Sequence, residues 1–135
     1  MKKYLLDTNI CIFLFRNKYN VAEKIKQVGG FENCFISEIT LAELKYGAEL
    51  SENKSYNTAL IENFSKEIAI LPILNCLDVY AREKARLKKA NLLIDDFDLL
   101  IGSSAISNDL VMVTDNVKHI ERLNGIAIEN WIKRT

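Results

Sequence analysis

Histidine is nearly absent from this chain, since His119 is the only one among 135 residues. A ribonuclease that uses two histidines as general acid and base is therefore excluded, and Ser-His-Asp and Cys-His schemes are weakened. We expect any hydrolytic chemistry in this protein to depend on carboxylates.

Cysteines are few and scattered: Cys11, Cys34 and Cys76 are far apart and form no C-x-x-C pair. Because each has apolar neighbours, we expect buried, reduced thiols in a cytoplasmic protein rather than disulfides or a structural zinc site. The apolar run at 4–6 that follows two lysines is too short for a signal peptide, and no stretch is long enough to span a membrane.

Net charge is also absent, because 18 basic and 18 acidic side chains cancel. General affinity for nucleic acid is therefore not expected from composition, and a local basic patch would have to supply it. The chain is 49% hydrophobic and 27% charged, which is ordinary for a soluble globular protein. Its length predicts a single domain over residues 1–135.

Short apolar runs alternate with helical patterns along the whole chain, which predicts an α/β domain with a mainly parallel central sheet of about five short strands and helices on both faces. Strands are predicted at 4–6, 34–36, 68–73, 110–114 and 126–128. Helices are predicted at 10–16, 21–28, 37–50, 56–66, 77–91 and 96–108, with a short helical turn at 117–123. The single proline, Pro72, indicates an edge strand or a strand end.

Two of the predicted strands end in an aspartate that is followed by a polar residue. Asp7 follows the first strand and precedes Thr8 and Asn9, while Asp115 lies between Thr114 and Asn116. Ligands of parallel α/β sheets bind beyond the carboxyl ends of the strands, so both aspartates are candidates for one acidic site. Alone, each also has a structural explanation, as a helix N-cap or as part of a turn.

Glu43 is a third candidate. In the helix that Ser37 is placed to cap, it falls within an apolar stripe formed by Ile39, Ala42, Tyr46 and Leu50. Burying an unpaired carboxylate is expensive, so a salt bridge or a metal ion is expected there.

Asp98 is the fourth candidate, because it shares a helix face with Ile101, Gly102 and Ala105. The small residues from Gly102 to Ala105 would let this helix pack closely on the sheet and carry Asp98 towards the strand ends. Asp95 and Asp96 are better explained as helix-start residues that interact favourably with the helix dipole.

Four carboxylates a few ångströms apart would repel one another by about 4 kcal/mol per pair at an effective dielectric constant near 20. Magnesium or manganese would reverse the sign of that interaction, and both ions prefer oxygen ligands. A bound ion could also activate water and neutralise charge on a scissile phosphate, so the pattern indicates metal-dependent phosphate chemistry.

Four segments resemble, in order, the motifs of PIN-domain ribonucleases, and most closely those of the VapC toxins of type II toxin–antitoxin pairs. They are residues 4–9, 37–47, 98–102 and 113–116, and the similarity extends to residues 128–131. The resemblance implies a Mg²⁺- or Mn²⁺-dependent endoribonuclease that cleaves transfer or ribosomal RNA and inhibits translation. It also implies that the acidic quartet is formed by Asp7, Glu43, Asp98 and Asp115.

Within that quartet, the resemblance makes Asp7 and Asp98 the firmest metal ligands, while Glu43 and Asp115 would bind a second ion or position water. The supporting polar side chains would be Thr8, Asn9, Thr114 and Asn116. The resemblance further implies a homodimer and a hetero-oligomer with a small antitoxin, which often inserts a basic side chain among the carboxylates. The apolar stretch 10–15 is a candidate for part of that interface, or alternatively a buried helix.

For RNA binding, the helix at 77–91 presents Arg82, Arg86 and Lys89 on one face, as a phosphate-binding flank or as an ordinary solvated surface. Aromatic residues near the first helix could stack on bases or pack in the core, namely Phe13, Phe15 and Tyr19.

Two other functions are compatible with parts of the pattern. An aspartyl-phosphate phosphotransferase or phosphatase would use Asp7, but the phosphatase motif has a second aspartate where Asn9 stands, and neither enzyme explains Glu43. A non-catalytic module that only binds RNA or an antitoxin is the other alternative, and the intact quartet argues against it.

Overall fold

The computed structural model of the protein, which describes residues 2–134, contains one five-stranded sheet. The strands are β1 Tyr4–Leu6, β2 Cys34–Ser37, β3 Ala69–Leu71, β4 Val111–Val113 and β5 Ala127–Glu129. They lie in the order β3-β2-β1-β4-β5, and every neighbouring pair is parallel. The predicted α/β class is therefore confirmed, with a sheet that is parallel throughout.

The helices follow the predicted order. They are α1 Thr8–Phe15, α2 Val21–Gln27, α3 Glu38–Leu50, α4 Lys54–Glu67, α5 Leu77–Lys89, α6 Asp96–Ser107 and α7 Val117–Ile120. Helix α1 begins two residues earlier than predicted because Asp7 caps it directly. The predicted third strand and last helical turn were too long, and two single 3₁₀ turns, at Phe31–Asn33 and Leu74–Cys76, were not predicted.

Successive strand residues enter two different cores, as the alternation of side chains across a sheet requires. In β1, Tyr4 and Leu6 belong to a core that includes residues of α1 to α4, whereas Leu5 belongs to a second core with residues of α6 and α7. The sheet therefore has helices on both faces, as predicted. Pro72 directly follows the edge strand β3, which agrees with both of its predicted positions.

The strand order places a topological switch between β1 and β4. From β1 the chain builds outward through β2 to β3, and it then returns to the other side of β1 to form β4 and β5. Crossovers that leave in opposite directions open a crevice beyond the carboxyl ends of the two strands, where α/β proteins bind ligands. Asp7 and the segment 114–116 both lie at this switch.

All three cysteines are free and buried, as the sequence predicted. Among the helices formed by residues 2–134, none is both long enough and apolar enough to cross a membrane.

Candidate active site

Asp7 is the buried centre of the site, with a relative exposure of 3%. Its Oδ1 accepts a hydrogen bond from the backbone N–H of Thr8 at 2.8 Å, and its Oδ2 accepts one from the Thr114 hydroxyl at 2.7 Å. Burial raises the pKa of Asp7, although these two hydrogen bonds act in the opposite direction. The N-cap explanation from the sequence is thus correct, but it accounts for only one of the two carboxylate oxygens.

Glu43 reaches the site through Thr8. The Thr8 hydroxyl lies 2.6 Å from Glu43 Oε1 and 3.1 Å from Thr40 Oγ1, so it joins the start of α1 to the middle of α3. Burial raises the pKa of Glu43, the hydrogen bond from Thr8 lowers it, and the charges of Asp7 and Asp95 raise it further. Glu43 is therefore coupled electrostatically to Asp7.

The prediction that Glu43 lies within a buried apolar stripe of α3 is wrong. The buried residues of α3 are Thr40, Leu44 and Ala48, spaced four residues apart. Three members of the predicted stripe instead face solvent, namely Ala42, Tyr46 and Leu50. Glu43 lies beside the buried row and is half-buried, so its placement depends on the packing of α3 next to α1 and not on an apolar stripe of its own.

Asp98 lies in the first turn of α6 and accepts a hydrogen bond from Asn116 Nδ2 at 3.3 Å. Burial raises the pKa of Asp98 to about 6, and the charges of Asp7, Asp95 and Glu43 add to the effect. Asp7, Glu43 and Asp98 therefore share one electrostatic environment.

Gly102 explains how α6 approaches the rest of the domain. A Cβ atom at this position would lie 2.3 Å from Leu123 Cδ1 and 3.5 Å from Ile126 Cδ1. The predicted close packing is present, but it is made against the segment that leads into β5 as well as against the sheet.

Asp115 has hydrogen-bond partners different from those of the other three acids. Arg134 Nη1 donates to its Oδ1 at 2.8 Å and Arg134 Nη2 to its Oδ2 at 2.6 Å, while Asn130 Nδ2 donates to Oδ1 at 3.3 Å. These hydrogen bonds, chiefly those from Arg134, hold the pKa of Asp115 below its usual range. The charge of Asp115 is not among the causes that raise the pKa of Asp7, Glu43 or Asp98. Its predicted role in metal binding stays a prediction.

Asp95 is the site residue that sequence reasoning undervalued. Its carboxylate accepts a hydrogen bond from the backbone N–H of Phe97 and caps α6, as expected. Its charge also raises the pKa of both Glu43 and Asp98. The spacing of three residues between Asp95 and Asp98 was the available signal, since side chains at that spacing are neighbours on a helix.

The predicted RNA-binding flank on α5 is only partly available. Arg86 donates two hydrogen bonds to Glu83, at 2.8 and 3.1 Å, and a third to the carbonyl of Arg122 at 2.7 Å. This guanidinium therefore connects α5 to the segment before β5, and the structure favours a structural role for it. Arg82 and Lys89 are exposed, and their contact with RNA stays a prediction.

Of the three aromatic residues considered for base stacking, Phe13 and Phe15 pack against the first core. Tyr19 contacts the edge of Phe13, and the guanidinium of Arg134 lies 5.3 Å from its ring centroid. Phe13 and Phe15 therefore have a packing role, while Tyr19 remains exposed and its contact with a base stays a prediction.

The donor set suits a divalent cation. Asp7, Glu43 and Asp98 offer only oxygen atoms, and none of them forms an ion pair within the described residues. Asn9 Oδ1 is buried and accepts no hydrogen bond there. Within residues 2–134 no three acidic, histidine or cysteine side chains already enclose an ion site. Magnesium is compatible with carboxylates that do not enclose an ion by themselves, because it keeps several waters and often uses only one or two carboxylates.

The raised pKa of Asp98 predicts how the stability of the metal-free protein depends on pH. The folded state keeps a proton on Asp98 up to a pKa of about 6, whereas the unfolded chain loses it near the ordinary aspartate pKa of 3.8. The contribution of Asp98 to the free energy of unfolding should therefore fall as pH rises between these values, because the native state binds more protons at this residue. Urea denaturation in EDTA should show it as a stability difference between the wild type and Asp98→Asn that changes across this pH range. Identical pH profiles for the two proteins would contradict the placement of Asp98 among the other acids.

Comparison with known proteins places this site in context. A family model described as "PIN domain" matches residues 4–125. The curated relatives include a tRNA(fMet)-specific endonuclease VapC of Shigella flexneri, 38% identical over 97% of this chain and 99% of the relative. They also include ribonuclease VapC2 of Rickettsia felis, which is 33% identical over 96% of this chain and 98% of the relative. Among solved structures, DNA-bound VapBC from Salmonella typhimurium matches with a TM-score of 0.88 and 34% identity, covering 97% of this chain and 99% of that one.

Proposed function

The chain belongs to the PIN-domain family and is an endoribonuclease of the VapC type, and from this premise we propose that it is the metal-dependent toxin of a toxin–antitoxin pair. It would hydrolyse RNA phosphodiester bonds in the cytoplasm, with residues 1–135 forming one domain. The observation that carries the proposal is the group of three mutually coupled, uncompensated carboxylates at the switch between β1 and β4.

Asp7 and Asp98 would hold the ion, Mg²⁺ or Mn²⁺, with Glu43 beside them. When bound, a divalent ion lowers the pKa of a water molecule and neutralises charge on the scissile phosphate. The supporting side chains orient the carboxylates: Thr114 holds Asp7, and Asn116 holds Asp98. Asp115 completes the quartet of the family pattern, but it could bind a metal ion only after releasing Arg134.

Carboxylate-based hydrolysis has a recognisable product. Water attacks phosphorus directly, so the reaction needs no 2′-hydroxyl and leaves a 5′-phosphate and a 3′-hydroxyl. The fold contributes orientation: the hydroxyl of Thr8 joins Glu43 to α1, and the hydroxyl of Thr114 holds one oxygen of Asp7. Transfer RNA is the substrate class we favour, because the Shigella relative is named for initiator transfer RNA, and ribosomal RNA is the other candidate.

An antitoxin partner is proposed from the solved VapBC complexes. A groove beside Glu43 provides a place for it, between α1, α3 and α4, with an apolar lining that includes Ile12, Phe15, Leu44 and Leu60. Ile12 and Phe15 belong to the stretch 10–15 that the sequence proposed for this interface. A basic antitoxin side chain next to Glu43 could neutralise the carboxylates in place of metal. We also propose a homodimer.

The aspartyl-phosphate alternative is disfavoured by the environment of Asp7. An aspartyl-phosphate enzyme gives no role to a second carboxylate beside its nucleophile, whereas the Thr8 hydroxyl joins Glu43 to the helix that Asp7 caps.

The proposal is tested by incubating the purified protein with total transfer RNA and Mg²⁺ or Mn²⁺ and then sequencing the new RNA ends. We expect specific cuts with 5′-phosphates that disappear in excess EDTA. Equal cleavage in EDTA, or products that end in cyclic phosphates, would reject a carboxylate–metal mechanism.

A further inference from the structure

Arg134 forms the only ion pair, within residues 2–134, that involves one of the four predicted site acids. Its two terminal nitrogens bind both oxygens of Asp115, and its guanidinium lies 5.3 Å from the ring centroid of Tyr19. Tyr19 itself adopts a left-handed backbone conformation, with φ of 56°, which is uncommon for an aromatic residue. The chain thus accepts an unfavourable backbone conformation at the residue that supports this arginine.

The segment 114–116 connects Arg134 to the carboxylate site. Thr114 and Asn116 donate hydrogen bonds to Asp7 and Asp98, whereas Asp115 between them pairs with Arg134. Arg134 therefore lies at the rim of the acidic site.

The guanidinium retains capacity for another anion. Arginine has five N–H donors, of which two are used by Asp115, and the Arg134 side chain is 56% exposed. A planar fork of donors binds phosphate with directional hydrogen bonds, which an ammonium group does not match.

A cationic contact at this place would favour the binding of an RNA strand. Asp7, Glu43, Asp98 and Asp95 give the site an excess of negative charge, which repels a polyanion. A strand that brings one phosphate to these acids also brings the neighbouring phosphates to the rim. We propose that Arg134 binds an RNA backbone phosphate adjacent to the scissile one, and that Asp115 and Tyr19 are positioning residues that hold its guanidinium.

This inference rests on the proposed function for its RNA substrate, and it changes the role of one acid. Asp115 acts through Arg134 and is not a metal ligand, which departs from the quartet that the family resemblance implies.

RNA binding without cleavage tests the proposal directly. A short fluorescent single-stranded oligoribonucleotide is titrated in EDTA at several salt concentrations. Arg134→Ala should raise Kd about tenfold and reduce the salt slope by about 0.7, the value for one lost phosphate contact on a single strand. Arg134→Lys should be intermediate, because it keeps the charge and loses the fork. Lys133→Ala removes one positive charge from the exposed residue that precedes Arg134, and it should leave Kd near the wild-type value.

Asp115→Asn distinguishes a role of Asp115 in positioning Arg134 from a role in metal binding. We expect it to weaken RNA binding less than Arg134→Ala does, because it loosens the guanidinium but also removes a negative charge that repels RNA, and we expect the Mn²⁺ affinity measured by calorimetry to stay unchanged. Unaltered RNA affinity and salt slope in Arg134→Ala would overturn the proposal. It would also be overturned by loss of Mn²⁺ binding in Asp115→Asn, or by tighter Mn²⁺ binding in Arg134→Ala, which would make Arg134 a mask over a metal ligand. Failure of the wild type to cleave RNA with Mn²⁺ would instead refute the proposed function.

Discussion

Asp98→Asn should reduce RNA cleavage on the order of a thousandfold, which corresponds to about 4 kcal/mol of transition-state stabilisation. The substitution keeps the shape of the side chain and its place in the first turn of α6, but removes a carboxylate coupled to Asp7 and Glu43. The loss should appear in kcat with purified protein, and as abolished growth arrest when the variant is expressed. Folding and antitoxin binding should be retained.

Asp96→Asn is the matched control, because it makes the same change two residues earlier. Asp96 pairs with Lys84 at 2.8 Å and accepts a hydrogen bond from the Tyr80 hydroxyl, away from the acidic site. Its cleavage rate should stay close to that of the wild type. Unchanged toxicity of Asp98→Asn, or equal losses in the two variants, would exclude catalysis by this site.

Glu83→Ala should lower the free energy of unfolding by about 2–3 kcal/mol, the cost of leaving partners of a buried carboxylate unpaired. Glu83 is 4% exposed, accepts two hydrogen bonds from Arg86 and accepts a third from the backbone N–H of Asn124 at 2.7 Å. Its loss would detach α5 from the segment that leads to β5. Equilibrium urea denaturation measures the change.

Glu62→Ala provides the comparison, since it truncates an exposed glutamate on α4. Surface substitutions of this kind change stability by about 0.5 kcal/mol or less. A similar small effect for Glu83→Ala would reject the structural role of Arg86, and would return this arginine to the set of RNA-binding candidates.

The order and type of the strands and long helices were predictable because apolar periodicity is a local property of the sequence. The start of α3 at Glu38 follows from Ser37, whose hydroxyl accepts a hydrogen bond from the backbone N–H of Ile39. The α3 stripe was mispredicted because large apolar residues such as Tyr46 and Leu50 are exposed on this helix, and periodicity cannot tell a partner surface from a core.

The candidate site, too, was predictable only in part. Asp7 was predicted from a strand end, Asp98 from a helix face and Glu43 from its motif, and the fold brings all three into one electrostatic environment. The coupling of Asp95 was missed, because its contribution depends on how the start of α6 approaches α3. The pair of Asp115 with Arg134 was missed as well, since 19 residues separate its partners and nothing in the local sequence connects them.

By itself, the sequence determined the fold class and the family and predicted the acids of the site, because each is encoded in local patterns and ordered motifs. Only the tertiary structure decided which acids are coupled and which cation is nearby, because those depend on distances between remote segments. Asp7 and Asp115 both follow a strand, yet the first is buried among carboxylates and the second is held by an arginine. The physical reason is the direction of each side chain at the switch point, which is set by the packing of α1, α6 and the residues after β5 around it.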